Sequence, residues 1–134
     1  MSPRTFDFTF HVPYAHIDKM GVVYYSNYFV YFEMARSAMF REAGLPYGKL
    51  EERGVMLPVV AAHCEYRKAA RLDEKICITI SNLSQRGAVL RAEYEVKRGA
   101  DLLAVGYTDH VCMSPQGKVL KPVPELKRIM GVSP

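Results

Sequence analysis

The chain has 134 residues, 49% of them apolar, and a formal charge of +4. That length suits one domain, 1–134, able to bury roughly two-thirds of its unfolded surface, and no run approaches the roughly 18 uninterrupted apolar residues of a membrane helix. The opening "MSPRTFDFTF" lacks the basic, apolar and small-residue regions of a secretory signal, so a cytoplasmic location is expected, and Lys and Arg scattered among acids, as in "KLEER" and "RLDEK", argue against nucleic-acid binding.

Residues from about Thr5 to Tyr14 alternate, with Phe6, Phe8, Phe10 and Val12 on one side of a predicted strand. After the irregular "AHIDKMG", Ser26 or Asn27 is placed to cap a helix running to about Ala43, with Gly44 as its left-handed stop. Tyr28, Phe32, Ala35 and Met39 form one apolar stripe, and Phe29, Tyr31, Phe40 and Ala43 fill adjacent faces. Only Glu33, Arg36, Ser37 and Arg41 interrupt them, with Glu33 and Arg36 spaced for an ordinary salt bridge. A helix apolar nearly all round belongs in the middle of its protein.

A short helical turn is expected at "YGKLEERG", then an extended segment, "VMLPVVAAHCEYRKA", whose Pro58 suits an edge. "KICITIS" and "VLRAEYEVK" alternate, turning Ile76, Ile78 and Ile80, then Leu90, Ala92, Tyr94 and Val96, to one face. "LLAVGYTDHVCM" reads as a further strand, "SQRG", "RGAD" and "SPQGK" as turns, and "PELKRIM" as a short terminal helix with Pro124 first. Short turns imply antiparallel neighbours, so an α+β domain is predicted, with a sheet of about five strands wrapped around one long helix, a shape that suggests the hot-dog fold. The three cysteines, Cys64, Cys77 and Cys112, form no CxxC pair or Cys/His cluster. They read as small buried hydrophobes, and no metal site is expected.

The stretch "PYAHIDKMGVVYYSNYFVYFEMAR" concentrates the chemistry. Asp18 stands between strand and helix, where a carboxylate is a turn residue, a helix cap or a catalyst. It precedes the helix by about eight residues, too far for the immediate cap, and neither neighbour offers it an obvious structural job; Gly21 lets the backbone fold back toward the helix end. Unpaired N–H groups at a helix start can bind a carbonyl oxygen gaining negative charge, provided a nucleophile or base stands beside them. His11, His16, His63 and His110 have no Ser or Cys at triad spacing and read as structural, and no P-loop, GxGxxG or GxSxG occurs.

At these residues the chain resembles the 4-hydroxybenzoyl-CoA thioesterase family of the hot-dog fold, in the branch whose pattern runs Tyr, an acidic triplet ending in Asp, Gly, Val-Val-Tyr, then Asn-Tyr and an apolar helix. The likeness extends more weakly through "GVMLPVVAAHCEYRKAARLDEKICI" and the remaining hairpins. It implies hydrolysis of an acyl-CoA, with Asp18 as nucleophile or general base and the backbone N–H of Tyr25 polarising the thioester carbonyl. Gly21 and Asn27 match the pattern as well, and Arg86 falls near a basic cluster that meets the nucleotide, with Lys68 and Arg71 as weaker counterparts. Coenzyme A enters as part of the substrate and no separate cofactor is implied. The family is dimeric or tetrameric, with its pocket between subunits, and an acyl carrier protein is a conceivable donor. His16 departs from the family's acid, and Tyr25 from the His of the related Tol-Pal-associated thioesterases. A hot-dog hydratase or dehydratase using His16 and Asp18, and a non-catalytic acyl-CoA-binding module, are the competing expectations.

Overall fold

A computed structural model describes residues 5–131. β1 (Phe6–His11) turns its phenylalanines inward and Asp7, Thr9 and His11 to water, as the alternation predicts. A 3₁₀ turn at Tyr14–His16 and a tight hairpin then lead into α1 (Asn27–Glu42) and α2 (Tyr47–Glu52). The strands β2 (Val59–Tyr66), β3 (Lys75–Arg86), β4 (Val89–Arg98) and β5 (Asp101–His110) follow. All pairings are antiparallel, and the sheet order is β1-β3-β4-β5-β2. A two-stranded ribbon, β6 (Cys112–Met113) with β7 (Val119–Leu120), and α3 (Pro124–Met130) complete the described chain. Among the described residues no helix is long and apolar enough to cross a membrane.

The predicted strand "LLAVGYTDHVCM" breaks at Val111 for want of partners. His110 pairs with Leu90 and Val59, close to the ends of β4 and β2, and the residue before Val59 is Pro58, which has no N–H to give. The chain therefore leaves the sheet, and Met113 exchanges backbone hydrogen bonds with Met56 at 2.8 and 2.9 Å.

The sheet wraps α1, the hot-dog arrangement expected from the sequence. Tyr28, Tyr31, Phe32, Ala35, Met39 and Phe40 are buried against Ile76, Ile78 and Ile80 of β3 and Leu90, Ala92, Tyr94 and Val96 of β4. Close approach needs Gly106 of β5. Phe32 stacks on Tyr94 with centroids 4.2 Å apart, and a Cβ on Gly106 would stand 2.4 Å from the carbonyl oxygen of His63 and 2.8 Å from the Phe32 ring.

Three expectations need correcting. Arg36 is buried and makes no salt bridge with Glu33; its guanidinium donates to Tyr94 Oη at 3.0 Å, Tyr47 Oη at 3.3 Å and Thr108 Oγ1 at 3.5 Å. The straight stem lets a charged head reach inward hydroxyls that periodicity cannot reveal. Only Cys112 is fully buried, while Cys64 and Cys77 are half-buried, and all three are free thiols. Ser26 occupies the N-cap position without a side-chain cap, because it is already in helical geometry (φ −65°, ψ −22°).

Among the described residues β2 pairs with β5 alone, so its other backbone edge has no strand beside it. All its residues but Cys64 are exposed, Val59, Val60 and Tyr66 among them.

Candidate active site

The connection from β1 to α1 is a small hairpin. Ile17 bridges Val23, the Asp18 N–H donates to the Val22 carbonyl at 3.0 Å, and the Tyr24 N–H to the His16 carbonyl at 3.0 Å. Its tip closes where the Gly21 N–H meets the Asp18 carbonyl at 3.0 Å, with Gly21 at φ 78°, a region glycine enters without a Cβ penalty. Asp18 does have a structural job here: Oδ1 accepts the Met20 N–H at 2.8 Å, an Asx turn. Its Oδ2 accepts no hydrogen bond from the described residues, and the side chain is half-buried.

Tyr25 stands just past the returning arm of that hairpin. The N–H groups of Asn27, Tyr28 and Phe29 donate three residues back, to Tyr24, Tyr25 and Ser26. The tightened first turn thereby consumes donors that a helix start usually leaves open. The N–H groups of Tyr25 and Ser26 find no acceptor among the described residues, so the open donors lie before the helix proper. Asn27 spends its side-chain amide on the His16 carbonyl at 3.3 Å and so ties helix to hairpin. One hairpin thus carries a carboxylate with a spare oxygen at its tip and an unclaimed N–H at its exit. Such a pair can supply a base or nucleophile and receive a carbonyl oxygen that gains charge.

His16 is tethered: Nδ1 lies 2.9 Å from the hydroxyl of Tyr31, whose pKa burial pushes up. An aromatic cluster backs the helix start, with Tyr66 edge-on to Tyr28 at 5.0 Å and to Tyr25 at 6.3 Å. The Tyr66 hydroxyl donates to the Tyr25 carbonyl at 3.0 Å. Sequence reading missed Tyr66. Its one signal was an aromatic residue closing a strand, which has no chemical meaning until β2 is known to end beside α1.

The basic candidates separate. Arg71 lies beside the hairpin, its backbone bridged to Val22, and its side chain is exposed. Lys68 is engaged with Asp101 at 3.1 Å, and Lys68 and Arg98 together hold the Asp101 carboxyl below its usual range. Arg86 is not near Asp18. It ends β3, while the hairpin follows β1 at the Lys75 end, and 12 residues at about 3.3 Å each separate the two ends. A small pocket of about 30 Å³ lies between α1 and the sheet among Met39, Phe40, Leu90 and His110. A cleft of about 400 Å³ runs beside Glu33, Arg36, Tyr47, Met56 and Leu57. Neither is lined by Asp18 or Tyr25.

Residues 12–128 match the family described as the thioesterase-like superfamily. The acyl-CoA thioester hydrolase YbgC of Escherichia coli O6:H1 is 29% identical over 135 positions, covering 96% of this chain and all (100%) of that protein. The crystal structure of a hypothetical protein, TT1821, from Thermus thermophilus is 35% identical and superposes with a TM-score of 0.85 over 94% of this chain and 97% of the other. A 1,4-dihydroxy-2-naphthoyl-CoA thioesterase of Synechocystis, at 23% identity and a TM-score of 0.89 over 96% of each chain, shares the fold.

Proposed function

The chain belongs to the thioesterase-like superfamily, and we propose that it is an acyl-CoA thioesterase whose reacting groups are Asp18 and the backbone N–H of Tyr25. One observation carries this reading: a carboxylate with a spare oxygen and an N–H without an acceptor share a single hairpin. The curated relative of Escherichia coli named above acts, by its name, on acyl-CoA thioesters, which supplies the substrate class.

Two routes use these groups. Asp18 Oδ2 adds to the thioester carbonyl, the oxyanion is held by the Tyr25 N–H, and the thiolate of coenzyme A leaves; water then cleaves the acyl-aspartyl anhydride and restores the carboxylate. Alternatively Asp18 takes a proton from water as the hydroxide adds, and the thiol departs with that proton. Either way one water is consumed, and a free acid and a thiol are produced. Gly21 permits the turn and Asn27 ties helix to hairpin, so both act by shaping the site.

The finer assignment is to the 4-hydroxybenzoyl branch, with an aromatic or short acyl group. The surface position of the hairpin and the open edge of β2 favour a pocket completed by a second subunit, in a dimer or tetramer. Arg71 is the phosphate contact best placed within one chain. Lys68 is weakened by its bond to Asp101, and Arg86 serves only a site on another subunit. Delivery by an acyl carrier protein would use the same hairpin. The bond of His16 Nδ1 to Tyr31 leaves only Nε2 for the proton transfer that a hydratase would need.

The deciding experiment is thiol release from aromatic, short, branched and long acyl-CoAs. Turnover that favours aromatic or short groups supports the reading. Tight binding without thiol release indicates a binding module, and a hydrated acyl-CoA product indicates a hydratase.

A further inference from the structure

The hairpin that carries Asp18 leans on the segment between β2 and β3. The Val23 N–H donates to the Ala70 carbonyl at 2.8 Å, and Val22 bridges Arg71. That segment is irregular, and Asp73 within it has a left-handed φ of 62°. It is gripped from one side by Arg98, at the end of β4. Nη1 of Arg98 donates to the Ala69 carbonyl at 3.1 Å and to the two Glu74 oxygens at 2.9 and 3.1 Å, while Nη2 reaches Asp101 Oδ2 at 3.3 Å. Glu74 Oε1 in turn accepts the Arg71 N–H at 2.7 Å. One guanidinium therefore fastens the chain on both sides of Ala70, whose carbonyl receives the hairpin.

We propose that Arg98 is a positioning residue for the site: acting through Ala69, Glu74 and Ala70, it sets where the hairpin places Asp18 relative to Tyr25. The inference rests on the reading of Asp18 and Tyr25 as the reacting pair. Arg98 touches neither of them. A planar guanidinium serves three acceptors in one fixed geometry, whereas an ammonium on a flexible stem does not, so lysine is only a partial substitute. Partly exposed ion pairs contribute little to stability, so a positioning effect can be separated from a folding effect.

The test compares wild type with Arg98→Ala, Arg98→Lys and Lys97→Ala. Lys97 adjoins Arg98 on β4 and pairs with Glu95 at 3.2 Å, away from the segment, which makes it the control. Two quantities are read: kcat and KM on the fastest acyl-CoA, and hydrogen-exchange protection of the Val23 amide. Because a misplacement of about 1 Å can cost about 10²-fold, Arg98→Ala should lower kcat by about tenfold or more while KM stays within about threefold. Val23 exchange should quicken by about tenfold, with Arg98→Lys intermediate on both readouts and Lys97→Ala unchanged. Unaltered Val23 protection in a folded Arg98→Ala protein overturns the proposal, as does an equal loss of kcat in Lys97→Ala. Should wild type release no thiol from any acyl-CoA, the functional reading fails by itself. Val23 protection then still decides whether Arg98 holds the hairpin.

Discussion

The hydroxyl of Tyr66, the last residue of β2, donates to the carbonyl of Tyr25, the residue from which α1 springs, at 3.0 Å. An exposed edge strand is thereby linked to the peptide that carries the open Ser26 N–H and follows directly on the Tyr25 N–H. Tyr66→Phe keeps both ring contacts and removes this one hydrogen bond. Stability should fall by about 0.5–1.5 kcal/mol, the usual net worth of such a bond. If the bond orients the helix start, kcat should drop by about three- to thirtyfold, short of the 10²–10³-fold that loss of an oxyanion donor costs. Steady-state kinetics beside urea titration separate the two effects, and an unchanged kcat in the less stable variant would leave Tyr66 a purely structural role.

On the proposed mechanism Asp18 has two separable tasks, the Oδ1 turn bond to Met20 and chemistry at Oδ2. In Asp18→Asn the amide oxygen can still accept the Met20 N–H, so the turn persists while the charge is lost. Activity should fall by about 10²- to 10⁴-fold with the midpoint of unfolding nearly unchanged. Asp18→Ala removes the turn's acceptor too, and should be comparably inactive and measurably less stable. Near-normal turnover by a folded Asn variant would remove Asp18 from the chemistry.

The elements that were legible in the sequence are those whose faces differ sharply. Ile76, Ile78 and Ile80, and Leu90 through Val96 by twos, alternate because one side of their sheet meets α1. The fold-back of the chain at Gly21, which carries Asp18 toward the helix start, was legible because it depends on near neighbours in the chain. What stayed hidden depends on distant partners. Arg36 looks like a surface residue until Tyr94 and Thr108 are brought to it from β4 and β5. Tyr66 and Arg98 read as ordinary strand ends, since each gains meaning from a loop or helix dozens of residues away. The break at Val111 was invisible because it reflects where neighbouring strands stop, not what Val111 is.

Gly106 marks the tightest approach of helix and sheet. In Gly106→Ala the added methyl would meet the His63 backbone at 2.4 Å and the Phe32 ring at 2.8 Å, so β2 must part from β5 or α1 must rise. Overpacking of this kind costs about 1–3 kcal/mol, sometimes more. Urea denaturation should show that loss. Since β2 carries Tyr66 and α1 begins at the candidate site, kcat should fall with it, and a wild-type midpoint would show that helix and sheet accommodate the methyl without loss of packing.

The buried network around Arg36 implies a specific response to acid. His110 is enclosed, with Nδ1 3.3 Å from the Leu57 carbonyl and Nε2 2.8 Å from Thr108 Oγ1. With the proton on Nδ1, every bond has a donor: His110 gives to Leu57, Thr108 to His110, Tyr94 to Thr108 and Arg36 to Tyr94. A second proton on Nε2 would displace the Thr108 hydrogen and add a cation beside Arg36. Burial first, and the Arg36 charge second, lower the His110 pKa from 6.5 to about 4. The unfolded chain therefore binds this proton more readily than the folded one. The associated stability is fully present above pH 6.5 and is lost as pH falls from there to about 4. The gap corresponds to about 3 kcal/mol. Asp101 and Asp109, whose carboxyls are held below 3.8 chiefly by hydrogen bonds from Lys68 and Arg91, release their contributions only at lower pH and leave the upper window to His110. Unfolding free energies measured by urea at pH 7.5, 5.5 and 4.5 should decline in wild type and much less in His110→Gln, which keeps a donor for Leu57 but does not titrate. Parallel declines in the two proteins would show that His110 is not the group responsible.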